Sequence, residues 1–369
     1  MSNKEDVMLR YQKMVEVLRK NPGKYVFLIA QVDPDALGST VALKELLEYV
    51  TSEFEDVGDA KWSFSCCYAG GIGHPQNRCI FTKYNLGTSI RLLEESLPLI
   101  ISSHANEVKY ILVDSSDMLD QRLPEFLREE RPLIIVDHHR GSTLEDGDDV
   151  MYWIEDLGSA STMVFELMHE GANFFDDILR NRPERREQLA DLLALGIYID
   201  THDMRTGSRR DLAAFNLLGE WRSNIHVATD YPLPPSYFAN LRTALETMRR
   251  EDHILVANLG VIESRCADDI AVISDELIRM EGVSLVLTWA VVDGKVRISA
   301  RGTNLSNPLD EWLASRFGER SGAKITPTGK GEGGALLDVG MDFWVTADTT
   351  NELVSLVGKR ICSLAFGSD

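Results

Sequence analysis

The sequence predicts an α/β protein: a doubly wound parallel sheet, then a smaller C-terminal α/β domain, with a helical linker between them. Three observations carry this. Short, nearly all-apolar runs recur in the first half (Tyr25–Ala30, Tyr110–Val113, Leu133–Val136), with the length and composition of strands buried on both faces. Segments of helical period alternate with them, as connections between parallel strands require. Beyond Arg250 the pattern turns to strands, with AVV-Asp293-Gly294-KVRISA as a hairpin signal, because Asp-Gly supplies the positive φ angles of a two-residue turn. A chain of 369 residues fits two domains.

Along the chain, a charged helical start precedes the strand at Tyr25–Ala30. That strand runs into Gln31-Val-Asp33-Pro-Asp35-Ala-Leu-Gly38-Ser39, after which TVALKELLEYV has helical period. Trp62–Tyr68 reads as a second strand closing on Gly70 and Gly71. Ser161–Glu170 and Arg186–Tyr198 are amphipathic helices, and Pro232, Pro234 and Pro235 mark a hinge before the helix Tyr237–Arg250. His253–Leu259, Val283–Val292 and Lys295–Ala300 are strands, and a helix closes the chain near Asn351–Phe366. The expected division is 1–228, a linker over 229–252, and 253–369.

Composition narrows the function. With 44% hydrophobic and 26% charged residues the chain can fill real cores. No apolar run reaches the roughly 20 residues of a membrane span. Five cysteines without paired spacing argue against a disulfide scaffold or a zinc knuckle, so a cytoplasmic location is expected. A formal charge of −20 repels phosphate polymers at long range, so duplex DNA is not an expected partner.

Four segments concentrate acids and imidazoles: Asp33-Pro-Asp35, Asp114-Ser-Ser-Asp117, Asp137-His138-His139 and Asp200-Thr-His202-Asp203. Each alone could be a helix cap or a surface feature. Three of them follow apolar strands of one parallel sheet, whose ligands bind at the carboxyl ends of the strands. Like charges gathered there repel unless cations neutralise them. Hard carboxylates with a minority of imidazole suit Mn²⁺ or Mg²⁺, and Mn²⁺ better. Gly38 and Ser39 open a helix whose N-terminal N–H groups could take an anion.

These residues, in this order, resemble the DHH phosphoesterases, a family that includes RecJ-like exonucleases, nanoRNases and family II inorganic pyrophosphatases. DPDALGS, VDSSD, VDHH and GIYIDT stand for its four motifs, and the C-terminal region resembles its DHHA1 domain. The resemblance implies that Asp33, Asp114 and Asp200 bind one metal ion and that Asp35, Asp114, His138 and Asp200 bind a second. It implies that Asp137 orients His138 and that His139 contacts the scissile phosphate. Two departures stand out. Ile29 replaces a ligand histidine, which weakens the first metal site. The Gly-Gly-His loop is replaced by Thr328-Gly-Lys330-Gly331-Glu-Gly333-Gly334-Ala335, whose glycines permit close approach to a phosphate while Lys330 supplies a polar contact. Ser299 and Arg301 share a strand face by period two and match a Ser-x-Arg element that would hold substrate.

The expected function is hydrolysis of a phosphodiester or phosphoanhydride by metal-activated water, with two Mn²⁺ as cofactors and Mg²⁺ as the substitute. The expected substrate is small: a short single-stranded oligonucleotide, a dinucleotide or a nucleotide phosphate. It would lie between the metal edge of the first domain and Arg301 of the second. The alternative is a catalytically degenerate DHH protein that binds nucleotides or a protein partner. Membrane attachment is not expected, and a homodimer is left open.

Overall fold

The computed structural model describes residues 3–54, 61–103, 108–120, 122–139, 144, 146–223, 225–303, 307–318, 320–325, 330–338, 340 and 350–367. The chain divides into two compact units, Met1–Ile72 with Gln76–Tyr231, and Gly73–Pro75 with Pro232–Asp369.

In the first unit, helix α1 (Asn3–Lys20) leads into β1 (Gly23–Ile29), α2 (Pro34–Ser52), β2 (Trp62–Tyr68), α3 (Pro75–Lys83), β3 (Ile90–Leu92), α4 (Leu93–Ser103) and β4 (Val108–Val113). Strands β5 (Ile134–Asp137) and β6 (Met151–Ile154) follow, then helices α5 (Ala160–Glu166), α6 (Pro183–Asp200) and α7 (Arg209–Leu218). The six strands form one parallel sheet in the order β3-β2-β1-β4-β5-β6. Both faces are covered, and β1 shows why its sequence is uniformly apolar. Tyr25, Phe27 and Ile29 enter one core cluster, while Val26, Leu28 and Ala30 enter the other. The order reverses between β1 and β4, so the loops after these two neighbours share the carboxyl edge where ligands of such sheets bind.

Helix α2 starts where it does because Asp33 caps it. The Asp33 carboxylate accepts from Ala36 N at 2.9 Å, and Pro34 occupies the first helical position, where no N–H is needed. Gly38 lies inside this helix, and a β-carbon there would stand 2.5 Å from the Leu192 carbonyl of α6. Ser39 is fully buried, its hydroxyl donating to the Asp35 carbonyl at 2.5 Å. The expected anion-binding role of Gly38 and Ser39 is therefore corrected: both lie beyond the open first turn and serve helix packing.

The second unit carries β7 (Arg249–Glu251), β8 (Ile254–Val261), β9 (Leu285–Val292), β10 (Lys295–Thr303), β11 (Ser321–Ile325) and β12 (Lys330–Leu337), in the order β11-β12-β10-β9-β8-β7. Among the described residues only β8 and β9 pair in parallel. Asp293 (φ 48°) and Gly294 (φ 70°) form the hairpin turn between β9 and β10. Helices α8 (Pro235–Thr247) and α9 (Asp269–Leu277) cover one face; α10 (Leu309–Phe317) and α11 (Thr350–Phe366) cover the other. The helix expected to link the domains, α8, packs Tyr237 and Ala244 into this unit's own core. The expected glycine-rich loop is corrected to a strand. Gly331, Gly333 and Gly334 sit in β12 between β10 and β11, where their N–H and C=O groups serve the two ladders. Their composition answers crowding: a β-carbon on Gly333 would stand 2.5 Å from Gly322 O, and one on Gly331 would stand 2.8 Å from the Leu309 side chain. The Lys330 side chain lies outside the described residues.

A β-carbon on Gly196 of α6 would stand 2.8 Å from Asp35 Oδ1 and 2.9 Å from its Cα. Gly→Ala inside a helix normally stabilises by about 1 kcal/mol. Here overpacking reverses the sign: Gly196→Ala is expected to destabilise the chain by roughly 1–3 kcal/mol in urea unfolding. A stabilised variant would contradict this close approach.

Candidate metal centre

Four loops at the carboxyl edge of the parallel sheet bring the acids together. Asp35 is in the first turn of α2 and is 1% exposed. Its Oδ2 accepts from Ala160 N and its Oδ1 from Ser161 N, both at 2.7 Å, so the start of α5 holds this carboxylate in one orientation. Asp114 follows β4 with φ 59°, a left-handed conformation that aspartate tolerates better than most residues, and its N–H donates to Val136 O at 3.0 Å. Asp200 ends α6. His202, Asp203 and Met204 beyond it all have positive φ.

His138 is the centre of the arrangement. Its Nδ1 donates to the Leu157 carbonyl at 3.1 Å, which fixes the ring's orientation and turns Nε2 toward the acids. Nε2 lies 3.1 Å from Asp114 Oδ1, 3.1 Å from Asp200 Oδ2 and 3.8 Å from Asp35 Oδ2. The His138 side chain is 9% exposed. One imidazole nitrogen with carboxylate oxygens of three residues converging on it is the donor set a divalent cation requires, the ion taking the place of the proton they share. The residues Asp35, Asp114, His138 and Asp200 fit such an ion.

The electrostatics point the same way. Burial first, and the Asp200 charge second, push the Asp35 carboxyl up to about 6. Burial, then Asp33 and Asp35, raise Asp114 well above the usual carboxylate range. Burial opposes a charge on His138, but Asp114, Asp200 and Asp35 overwhelm it and lift the imidazole to about 12. Without a cation the cluster therefore holds protons, and a cation takes their place.

The expected first metal site lacks an imidazole ligand. Ile29 is buried in the hydrophobic core of the first unit and offers no lone pair. Gln31, the nearest polar residue, accepts from the Arg122 guanidinium through its Oε1 at 2.9 Å. Asp33 caps α2 and belongs to neither of the donor groups gathered among the described residues, Asp35–His138–Asp200 and Asp114–His138–His139.

The expected role of Asp137 also changes. The Leu157 carbonyl, not Asp137, orients His138. Asp137 is fully buried and accepts from His139 Nδ1 at 2.8 Å. Burial works against its charge, but the His139 hydrogen bond and charge, with smaller contributions from Ser116 and His138, together hold the carboxyl below its usual range. His139, 37% exposed, is thus positioned at the rim of the site by Asp137.

Two supporting features escaped the sequence reading. The loop that presents Leu157, Ala160 and Ser161 hangs on Asp211, which is fully buried and accepts from Gly158 N at 3.1 Å and from the Thr162 hydroxyl at 2.6 Å. Its signal was present in Ser208-x-x-Asp211, a capping box at the start of α7. Arg210, at the start of α7, is spent on Glu166 (2.5 Å) and Glu155 beside the same loop. Asn77 donates to Val32 O at 2.6 Å and steadies the motif-one loop.

In the second unit, Ser299 and Arg301 do share a strand face, with the Arg301 guanidinium donating to the Ser299 hydroxyl at 3.2 Å. Asp275 takes two more of its N–H groups, so Arg301 already has a carboxylate partner.

Protonated Asp35 and His138 must yield protons to a bound ion. The apparent Mn²⁺ affinity is therefore expected to fall as pH drops through about 6, with proton release near neutral pH. Calorimetric titration in buffers of different ionisation enthalpy measures both; an affinity constant across that range would contradict the protonation described.

Comparison with known proteins agrees with the fold. Residues 25–197 match the DHH family, N-terminal domain. An uncharacterized protein of Methanocaldococcus jannaschii is 26% identical over 292 residues, 78% of this chain and 53% of its own length. A probable manganese-dependent inorganic pyrophosphatase of Streptococcus mutans is 24% identical over 138 residues, 37% of this chain and 38% of its own. The chain thus spans about half or less of the length of these curated relatives. The crystal structure of an exopolyphosphatase-related protein from Bacteroides fragilis aligns over 97% of both chains at a TM-score of 0.65 and 14% identity, which shows a shared fold. Among the described residues no helix is long and apolar enough to cross a membrane. The match over residues 25–197, with the parallel sheet those residues form and the motifs at its carboxyl edge, makes this part of the chain similar to the DHH family, N-terminal domain.

Proposed function

We propose that this chain is a divalent-metal-dependent phosphoesterase that hydrolyses a phosphodiester or phosphoanhydride in a short oligonucleotide, a dinucleotide or a nucleotide phosphate. One observation carries the reading: the buried His138 Nε2, its other ring nitrogen committed to Leu157, directed among the carboxylates of Asp35, Asp114 and Asp200. The manganese-dependent relative supports Mn²⁺ as the ion. When bound, the ion supplies Lewis acidity toward a phosphoryl oxygen and lowers the pKa of water. The chain's own residues do the rest. Asp35, Asp114, Asp200 and His138 hold the ion. His139, with Nδ1 committed to Asp137, presents its other ring nitrogen as electrostatic support or proton donor for a phosphate. The second unit, with Ser299 and Arg301, is the substrate-binding part of this proposal, Arg301 exchanging its Asp275 partner for phosphate.

A second reading, a catalytically degenerate DHH protein that binds nucleotides or a protein partner, is supported by Ile29 in the core and by the Asp275 pairing of Arg301. The crowded acids favour hydrolysis, because a pure binder gains nothing from burying like charges.

Asp114→Asn is the sharpest test, since asparagine keeps the left-handed backbone and removes the charge. Loss of even an outer-shell partner costs a metal site about 10–100-fold. The variant is expected to lose about 100-fold or more in Mn²⁺-dependent release of mononucleotide from a linear dinucleotide, with its unfolding midpoint preserved. Wild-type protein inactive on every phosphodiester and phosphoanhydride offered, with Mn²⁺ bound, would favour the second reading.

A further inference from the structure

The two donor groups at the carboxyl edge both draw on His138. Its Nδ1 belongs to Leu157, so one ring nitrogen remains, its lone pair can serve one ion, and a second ion would have to be held by carboxylates without an imidazole. The neighbouring position, beside Asp33, is furnished differently. Arg122 comes from the loop after β4, and Asp33 from the loop after the adjacent β1. The Arg122 guanidinium donates from Nε to Asp120 Oδ1 at 2.9 Å, from one terminal nitrogen to Asp120 Oδ2 at 2.5 Å, and from the other to Gln31 Oε1 at 2.9 Å. Asp120 Oδ1 also accepts from the Arg122 backbone N–H at 2.8 Å, so backbone and head group are locked to one carboxylate. A guanidinium has five N–H groups, and this leaves one on each terminal nitrogen beyond the three pairings described. The Asp120 hydrogen bonds, and then the charge of Asp33, raise the arginine's pKa further, so the group is permanently cationic.

We infer that this site holds a single divalent cation, and that Arg122 supplies the positive charge beside Asp33 where a second ion would stand, offering its remaining N–H groups to a phosphate oxygen of the substrate. The inference rests on the proposed function and deepens it: one ion and one fixed guanidinium, not two ions, face the phosphate. Arginine suits this place because its planar fork can keep Asp120 and Gln31 while meeting another anion, which a lysine cannot do. It also accounts for Gln31, whose amide oxygen positions a cation in the form of Arg122.

The test uses the full chain loaded with Mn²⁺. Metal analysis after equilibrium dialysis is expected to give one Mn²⁺ per chain, with the resolved hyperfine spectrum of an isolated ion in electron paramagnetic resonance. Calorimetric titration of the loaded protein with inorganic phosphate is expected to show about 10-fold weaker binding in Arg122→Gln, with Mn²⁺ affinity unchanged, and partial recovery in Arg122→Lys. Two exchange-coupled ions per chain would overturn the inference and leave the phosphoesterase reading intact. Unchanged phosphate affinity in Arg122→Gln would likewise overturn the inference alone. A wild-type chain that binds no Mn²⁺ would overturn the proposed function, and this inference with it.

Discussion

Three carboxylates cannot share a dry corner of a protein without a positive partner, and the hydrogen bond from His138 Nδ1 to the Leu157 carbonyl decides what that partner can be. With Nδ1 committed, the ring has one nitrogen left, and it faces Asp114, Asp200 and Asp35. The cluster then has two ways to reach neutrality: keep protons on Asp35, Asp114 and His138, or exchange them for a cation. Much of the first unit's architecture serves this corner. Gly38 and Gly196 let α2 and α6 approach closely, the start of α5 clamps Asp35, and Asp211 secures the loop between β6 and α5.

The strands and the acids at their ends were legible in the sequence because a parallel strand buried on both faces leaves a short, uniform apolar run. In β1, β4 and β5 that run stops where the chain reaches the ligand edge, so Asp33, Asp114 and Asp137 mark the edge by position alone. Bringing Asp200 to the same place required more than spacing: α6, packed closely against α2 at Gly38 and Gly196, carries it there at its C-terminal end.

Other parts were illegible for identifiable reasons. A backbone carbonyl carries no sequence signal, so the partner of His138 could not be read from Leu157, and the adjacent Asp137 looked like the natural orienter. Glycine-rich composition suggests a loop, yet in β12 the glycines answer crowding from Gly322, Ala323 and Ile298 on the neighbouring strands and from Leu309 of α10. Arginines on loops read alike from sequence. Only the contacts separate Arg122, held by Asp120 and Gln31 near Asp33, from Arg210, consumed by Glu155 and Glu166.

The central claim is that Asp35, Asp114, His138 and Asp200 close around one ion. The most direct measurement is a crystal structure of the Mn²⁺-soaked protein with an anomalous difference map recorded at the manganese edge. The account predicts a single strong peak coordinated by those four side chains, with the Arg122 guanidinium, not a second peak, beside Asp33. A map with no peak among the four residues, or with its only peak elsewhere on this acidic chain, would contradict it.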